Sequence, residues 1–319
     1  MSAPEWEMLD DIPSNSPIWK QWQKLVNDEN WTSDCSATTG LTPTLSTTRS
    51  VWGVDKKDSS YIGCVVWNEY DNIALIGFYL LTPAYRKLGI GSKLWKRAIE
   101  RIPKDYTIAL RSVPAMIPRY SSQTTPVRGP TLHYCTVKSS EVIELCNKLL
   151  PADFESGYST KKLEDLSHEE WEGFLKFDRK ITGKDRREWL TAYRNHEHKF
   201  AIVIFSKNDH SIVCYASTVM TSHLHQHRYK IAPIYAIDDS LGVFSLRTLA
   251  NWIGSQYSDA TIYCHLMEGT RGFEFLKPKL EQITNVTISG TSLFSKPYNN
   301  PLDLSKVYFP NNSSGHYDI

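Results

Sequence analysis

The chain alternates between two apolar patterns, each marking a kind of element. In SPIWKQWQKLVNDE (residues 16–29), Ile18, Trp22 and Val26 recur every four residues, the spacing of one helical face. Ser16 can cap that helix, and Pro17 suits its first position, where the N–H has no helical partner. Residues 50–56 and 61–67 (YIGCVVW) are rich in valine, isoleucine and aromatics and read as strands, with the polar stretch NEYDN (68–72) as a turn. The unbroken apolar run IALIGFYLL (73–81) has the length of a strand and predicts one buried on both faces. Pro83 ends it. From Ser92 onward Leu94, Ala98, Ile99 and Ile102 share a helical face, with Lys93, Lys96, Arg97 and Glu100 elsewhere, until Pro103 stops the helix. Residues 106–112 (YTIALRS) read as the next strand.

Periodicity lapses over 151–165, which reads as a polar connection, and then the order repeats. Residues 200–205, 212–220 and 229–237 read as strands, and 243–253 as a helix. The third strand opens IALIG in one half and IAPIY in the other. This predicts an internal duplication with a repeat too long for a solenoid, hence two similar domains over residues 1–155 and 156–319.

Composition narrows the class. With 319 residues, 41% apolar and 22% charged, the chain can build a real core. A formal net charge of +1 argues against a protein built mainly to hold nucleic acid. No apolar run approaches the about 18 residues of a membrane span. The opening MSAPEWEMLDDIPS is acidic and lacks the apolar core of a signal peptide. The cysteines at 35, 64, 135, 146, 214 and 264 form no C-x-x-C pair, so reduced buried thiols and a cytoplasmic setting are expected. The 12% aromatic content reads as core filling, with an aromatic-lined pocket as the sharper alternative.

The chemistry concentrates in TPAYRKLGIGSKLW (82–95). A strand entering a helix through a short glycine loop presents several unpaired N–H groups at one point, where the helix dipole adds partial positive charge. Glycines let an anion approach the backbone, and Arg86 and Lys87 add full charge, so the stretch reads as a phosphate cradle. It lacks the G-x-x-x-x-G-K-[ST] of a nucleotide-binding loop, and Leu94 stands where the dinucleotide fingerprint needs its third glycine. What remains is R-x-x-G-x-G, filled by Arg86, Gly89 and Gly91. That pattern resembles the acetyl-CoA pyrophosphate motif of the GNAT acyltransferases.

The resemblance implies an α/β (α+β) fold of two tandem GNAT-like domains, each a mixed, mostly antiparallel sheet flanked by helices. It implies that Arg86, Lys87, Leu88, Gly89, Ile90, Gly91 and Ser92 hold the pyrophosphate, and that the backbone of Leu80 and Leu81 hydrogen-bonds the pantetheine arm. AMIPRYSSQ (115–123) looks like the family's late helix, and there Tyr120 matches the tyrosine that protonates the departing CoA sulfur in many members. SSQTTP follows it instead of the usual Gly-Phe ending. Leu75 occupies the place of the glutamate that some members use as base, which leaves Glu69, Asp71, His133 and Asp178 as candidates.

The second half reads differently. With Gly242 set against Gly89, Asp239 stands for Arg86 and Phe244 for Gly91. Like charges about 4 Å apart cost about 4 kcal/mol at an effective dielectric of about 20, so Asp238 and Asp239 should repel a pyrophosphate. FDRKITGKDRREWL (177–190) with IAPIYAIDD (231–239) resembles the C-terminal domain of YitH-type tandem GNAT proteins, a layout shared by uncharacterised nematode proteins. This places Asp178, Asp185 and Arg186 near an interdomain substrate pocket, with helix-surface salt bridging as the plainer reading. HLHQH (223–227) would put three histidines on one face if extended, yet no fourth ligand is evident and no metal is expected. The expected activity is acetyl transfer from acetyl-CoA to a primary amine of a small molecule or amino acid, by direct attack. A protein-lysine acceptor, or a non-catalytic acyl-CoA-binding regulator, are the rivals. No nucleic-acid or membrane partner is expected.

Overall fold

The computed structural model describes residues 5–29 and 35–311. The first half runs β1 (Trp6–Asp10), α1 (Pro17–Asp28), α2 (Ser36–Leu41), β2 (Thr48–Asp55), β3 (Tyr61–Tyr70), β4 (Ile73–Leu81), α3 (Ile90–Arg101), β5 (Thr107–Ser112), α4 (Ile117–Gln123), β6 (Val127–Lys138) and α5 (Ser139–Leu149). The second runs β7 (Tyr158–Lys162), α6 (His168–Thr182), α7 (Arg187–Arg194), β8 (Lys199–Ser206), β9 (Ile212–Met220), β10 (Arg228–Ala236), α8 (Asp239–Gln256), β11 (Thr261–Met267), α9 (Arg271–Leu280), β12 (Thr287–Phe294) and β13 (Val307–Phe309).

All the strands join one sheet, in the order β1-β2-β3-β4-β5-β12-β6-β11-β10-β9-β8-β7, with β13 added on β10. Its pairs are antiparallel except β4–β5 and β10–β11. The two halves trade strands at the seam. β12, from the second half, sits between β5 and β6 of the first, and β6 pairs with β11 of the second. The fold is the mixed, mostly antiparallel, helix-flanked sheet expected from the sequence, in two copies that share their central strands.

Helices cover both faces. On one, α3 packs Ile90, Leu94, Trp95 and Ala98 against Ile62, Val65, Trp67 and Ile76, and α5, α8 and α9 cover the second half. On the other, α1 packs Trp19 and Trp22 edge-on against Trp52 and Phe78, with ring centroids 4.6 and 4.8 Å apart, and α2, α6 and α7 continue that layer. Edge-to-face geometry suits the aromatic quadrupole, so these aromatics serve as core. The six cysteines are buried, and none forms a disulfide among the described residues.

The sequence reading of local structure needs three corrections. The stretch 68–72 is mostly strand: β3 continues to Tyr70, because buried Asn68 accepts hydrogen bonds from the Thr47 and Thr48 hydroxyls, and only Asp71 (φ 47°) and Asn72 turn the chain. The polar connection contains an exposed edge strand, β7, whose polarity suits a sheet edge. HLHQH is a tight turn rather than extended chain. His227 takes φ 49° and stacks on Tyr257 at 3.7 Å, away from the other two histidines.

Candidate active site

The parallel pairing of β4 and β5 is short. It runs from Ile73–Thr107 to Ile76–Leu110 and stops, while β4 continues to Leu81 along β3. A bulge opposite Val66 and Trp67 leaves Gly77 as an extra residue, since Trp67 faces Ile76 and Val66 faces Phe78. A bulge bends its strand and raises the local twist. On its other edge β5 stays paired with β12 from Ala109 to Ser112, Ser112 facing Thr291. The ends of β4 and β5 thus diverge into a slot. The bulge also exchanges the faces of β4: Ile73 and Leu75 before it, and Phe78 and Leu80 after it, lie on the α1–α2 side.

Leu80 and Leu81 line this open stretch. The Leu80 carbonyl accepts from the Tyr61 hydroxyl at 3.1 Å. Thr82 N–H donates to Ile62 O on β3 at 2.9 Å, and alternation along an antiparallel strand turns the Leu81 backbone the other way, into the slot.

The loop that follows is exposed and lies at the start of α3. Lys87 and Gly89 take φ of 67° and 79°, and Gly89 is the helix cap. Among the described residues no side chain caps α3, so its first N–H groups point outward with the positive end of the dipole. Lys87, Leu88, Gly89 and Ser92 are exposed, whereas Ile90 and Gly91 are buried and anchor the turn. The two glycines serve different purposes. A Cβ on Gly89 would meet nothing within 4 Å, so its role is the positive φ. A Cβ on Gly91 would lie 2.5 Å from Tyr79 Oη. Arg86 is held sideways: its Nε donates to Leu81 O at 3.0 Å, and its guanidinium pairs with Glu29 at the end of α1.

Tyr120 lies on the α3 side of the slot. Its ring is 5.2 Å from Trp95, which is also 5.2 Å from Tyr79. Burial raises the Tyr120 phenol far above its usual range, with the Tyr79 hydroxyl adding to the rise and Arg119 opposing it. Tyr79 is raised by burial too. Both keep their protons at any ordinary pH. The sequence reading overlooked Tyr79; its signal was strand alternation next to Leu80, which the bulge disguised.

The candidate bases are spread over several elements. Glu69 accepts from the Trp67 indole at 2.9 Å and Asp71 turns the β3–β4 hairpin, both at the opposite end of β4. His133 pairs with Glu268 at 3.0 Å beside Phe273 of α9. Asp178 pairs with Arg186, whose Nε donates to Oδ2 at 2.9 Å; both are at most 2% exposed. Asp185 is exposed and accepts from Arg187 N at 3.0 Å. A cavity of about 360 Å³ between the halves is bordered by neighbouring Lys184, with Tyr70, Asp71, Lys296 and Tyr298; Asp178, Asp185 and Arg186 do not line it.

In the second half the equivalent slot is filled. β10 pairs with β11 only over Arg228–Lys230, and beyond that β13 lies on β10, Phe309 against Ile234 and Val307 against Tyr235. Tyr308 lies across the first turn of α8, 2.6 Å from where a Gly242 Cβ would be, and its hydroxyl donates to Asp239 Oδ1 at 2.6 Å. Arg271 Nε donates to the same carboxylate at 2.9 Å. Asp238 caps α8 through Leu241 N at 2.8 Å. Helix starts therefore match Asp238, not Gly242, with Gly89, four residues from the register read off the sequence. That place holds a carboxylate in either register. The chain's own C-terminal strand and two aspartates take up what is open in the first half.

The model of the acetyltransferase (GNAT) family matches residues 12–117. An uncharacterised protein of Caenorhabditis elegans is 36% identical over the whole of both chains. Among solved structures, a tandem GNAT protein from the clavulanic acid biosynthesis pathway covers 92% of this chain and all of its own, at 13% identity and a TM-score of 0.67. A Pyrococcus horikoshii protein described as a putative acetyltransferase covers 96% and 95%, at 16% identity and a TM-score of 0.66. No helix among the described residues is long and apolar enough to cross a membrane, and no cluster of His, Cys, Asp or Glu there could hold a metal ion.

Proposed function

The chain belongs to the acetyltransferase (GNAT) family, and from that premise we propose that it transfers acetyl from acetyl-CoA to the primary amine of a small molecule by direct attack on the thioester. The observation that carries this reading is the asymmetry of the two slots: β4 and β5 part after Ile76 and Leu110, while the matching gap beside β10 is occupied by β13. One acyl-CoA per chain follows. Acyl-CoA supplies the activated acyl group, and everything else falls to the protein's own side chains and backbone.

The uncapped start of α3, from Lys87 to Ser92, suits a pyrophosphate, because N–H groups and dipole act together there. Arg86 would exchange Glu29 for phosphate oxygens, a stronger bidentate partner at a partly exposed site. The Leu81 backbone, turned into the slot, would bond the pantetheine amides as an added strand does. Tyr120 would give its proton to the leaving sulfur, and its burial keeps that proton in place until then. Residues 1–155 would bind the acyl-CoA, and residues 156–319 would close over the acceptor.

Calorimetric titration with acetyl-CoA should give one site per chain. Tyr120→Phe should leave that affinity intact and lower turnover by about 10²-fold or more, the contribution typical of a positioned acid. An unchanged rate would remove Tyr120 from the mechanism. Tight binding with no CoA released by any amine would favour the non-catalytic reading.

A further inference from the structure

The cavity between the halves lies at the far end of the strand pair that forms the slot. Its wall includes Ile73 and Thr107, the first residues of the parallel β4–β5 pair, whose last residues, Ile76 and Leu110, mark where the strands part. The two ends are about 10 Å apart at the usual rise of a strand. The other walls are turns from both halves: Tyr70 and Asp71 of the β3–β4 hairpin, Asp105 before β5, Lys184 between α6 and α7, and the stretch from Lys296 to Pro301 after β12. These turns are fastened to one another. Thr107 N–H donates to Asn72 O and Ser295 N–H to Ile108 O, both at 2.8 Å, and Asp303 N–H donates to Ile181 O at 2.7 Å. Gly183, at φ 68°, lies so close to Pro301 that a Cβ on it would be 2.3 Å from the proline Cβ. The cavity is thus preformed, as small-molecule sites usually are. Its volume of about 360 Å³ equals on the order of ten water volumes, room for a molecule of about that many heavy atoms.

The lining carries both signs of charge. Asp71 and Asp105 border the cavity from exposed turns. Lys296, also exposed, donates from Nζ to the Asp105 carbonyl at 2.5 Å, and an ammonium has two further N–H groups to offer. Lys184, buried, adds a second cation to the wall. Half-buried Tyr298 stacks on Phe294 at 5.7 Å and supplies an aromatic surface. Burial, then the charge of Asp71, raises its phenol, which sets that carboxylate near the tyrosine hydroxyl. An anion without a cationic group would meet two aspartates here, and a cation without an anionic group would meet two lysines. Like charges this close repel, so the lining suits a ligand that carries both charges on one short frame.

We propose that this cavity is a regulatory site, separate from the slot, for a small zwitterion of the amino-acid type. The ammonium of the ligand pairs with Asp71 and Asp105, its carboxylate with Lys296, and its apolar part lies along Tyr298 and Pro301. The site is at the end of β4 remote from Leu81, so the ligand takes no part in the transfer step. It acts through the strand pair itself. Ile73 to Ile76 and Thr107 to Leu110 form one short ladder, with the ligand clamping the start of both strands and the slot opening at their other end.

Calorimetric titration of the full chain with each of the common amino acids should find at least one that binds with one site per chain. The amine and the acid that match it, each lacking one charge, should bind about tenfold more weakly or worse. Asp71→Asn, which keeps a residue tolerant of φ 47°, and Lys296→Gln should each weaken the bound amino acid by a similar factor. Both replace exposed side chains, so the fold should persist, and an unchanged melting temperature checks this. Saturation with the amino acid should shift the affinity for acetyl-CoA about fivefold or more, and acetyl-CoA should shift the amino acid by the same factor. No binding of any amino acid overturns the site, as does equal binding of the singly charged counterparts. An amino acid whose affinity neither variant changes is bound elsewhere, the slot included, and also overturns it. Binding that leaves the acetyl-CoA affinity unchanged overturns the regulatory role. None of these readouts needs turnover, so their failure leaves the transferase reading as it stands.

Discussion

Single residues in the cradle answer to neighbours that a motif does not show. Gly91 is a glycine in this fold for a reason apart from phosphate, since Tyr79 Oη occupies the space of its Cβ. Gly91→Ala is expected to cost about 1–3 kcal/mol of stability, the usual range for overpacking. Tyr79→Phe removes the obstructing hydroxyl, so the double variant should regain most of that loss in chemical unfolding. Equal costs in both backgrounds would refute the contact. A second residue sets a pH response. His196 accepts from or donates to Ser36 Oγ at 2.9 Å, and burial, then His198 and Lys199, lower it to about 4 from an ordinary 6.5. The unfolded chain therefore takes up a proton first as pH falls, and stability declines from about pH 6.5 toward 4 and is unaffected above that window. His265, lowered in the same direction, adds to the slope. His196→Gln should make the decline in melting temperature over that window shallower.

At the scale of elements, the telling comparison is between the two strand–loop–helix units. Both pair their parallel neighbour briefly and then diverge. Among the described residues, only the second has a strand from elsewhere in the chain in the gap. Tyr308→Ala should cost about 3–5 kcal/mol, because it empties a tightly packed place and leaves Asp239 with Arg271 alone. It should not create a second cofactor site, since Asp238 still caps α8 and Asp239 still faces the same point. Titration of this variant with acetyl-CoA tests that directly: a stoichiometry of two would show that β13 alone keeps the second slot closed.

At the scale of the whole molecule, the exchange of β6 and β12 binds the halves more firmly than a linker could. Residues 1–155 alone would lack β12, leaving β5 and β6 without the strand that joins them. Unpaired strand edges expose a row of donors and acceptors and favour association. That segment is expected to aggregate or stay unfolded when produced alone, and the full chain to unfold in one transition. A soluble, cooperatively folding 1–155 monomer would overturn this.

What the amino-acid sequence determined by itself is local. Strand length, helix faces, the glycine loop after IALIGFYLL and the repeated order of elements all depend on residues within a few positions of one another, where period, caps and turn chemistry act. Edge strand β7 and the turn at His223–His227 escaped that reading because their polar residues fit more than one conformation. Tertiary structure decided the rest. Whether a slot stays open beside β4 or is filled beside β10 depends on β13, some seventy residues away in the chain. The buried Asp178–Arg186 pair became a feature of the interior because α6 and α7 fold over it, and the same residues on a lone helix would be a surface pair. The seam pairings of β6 and β12 join strands distant in the chain, and register between such strands is set by packing of the whole sheet, which no window along the chain contains.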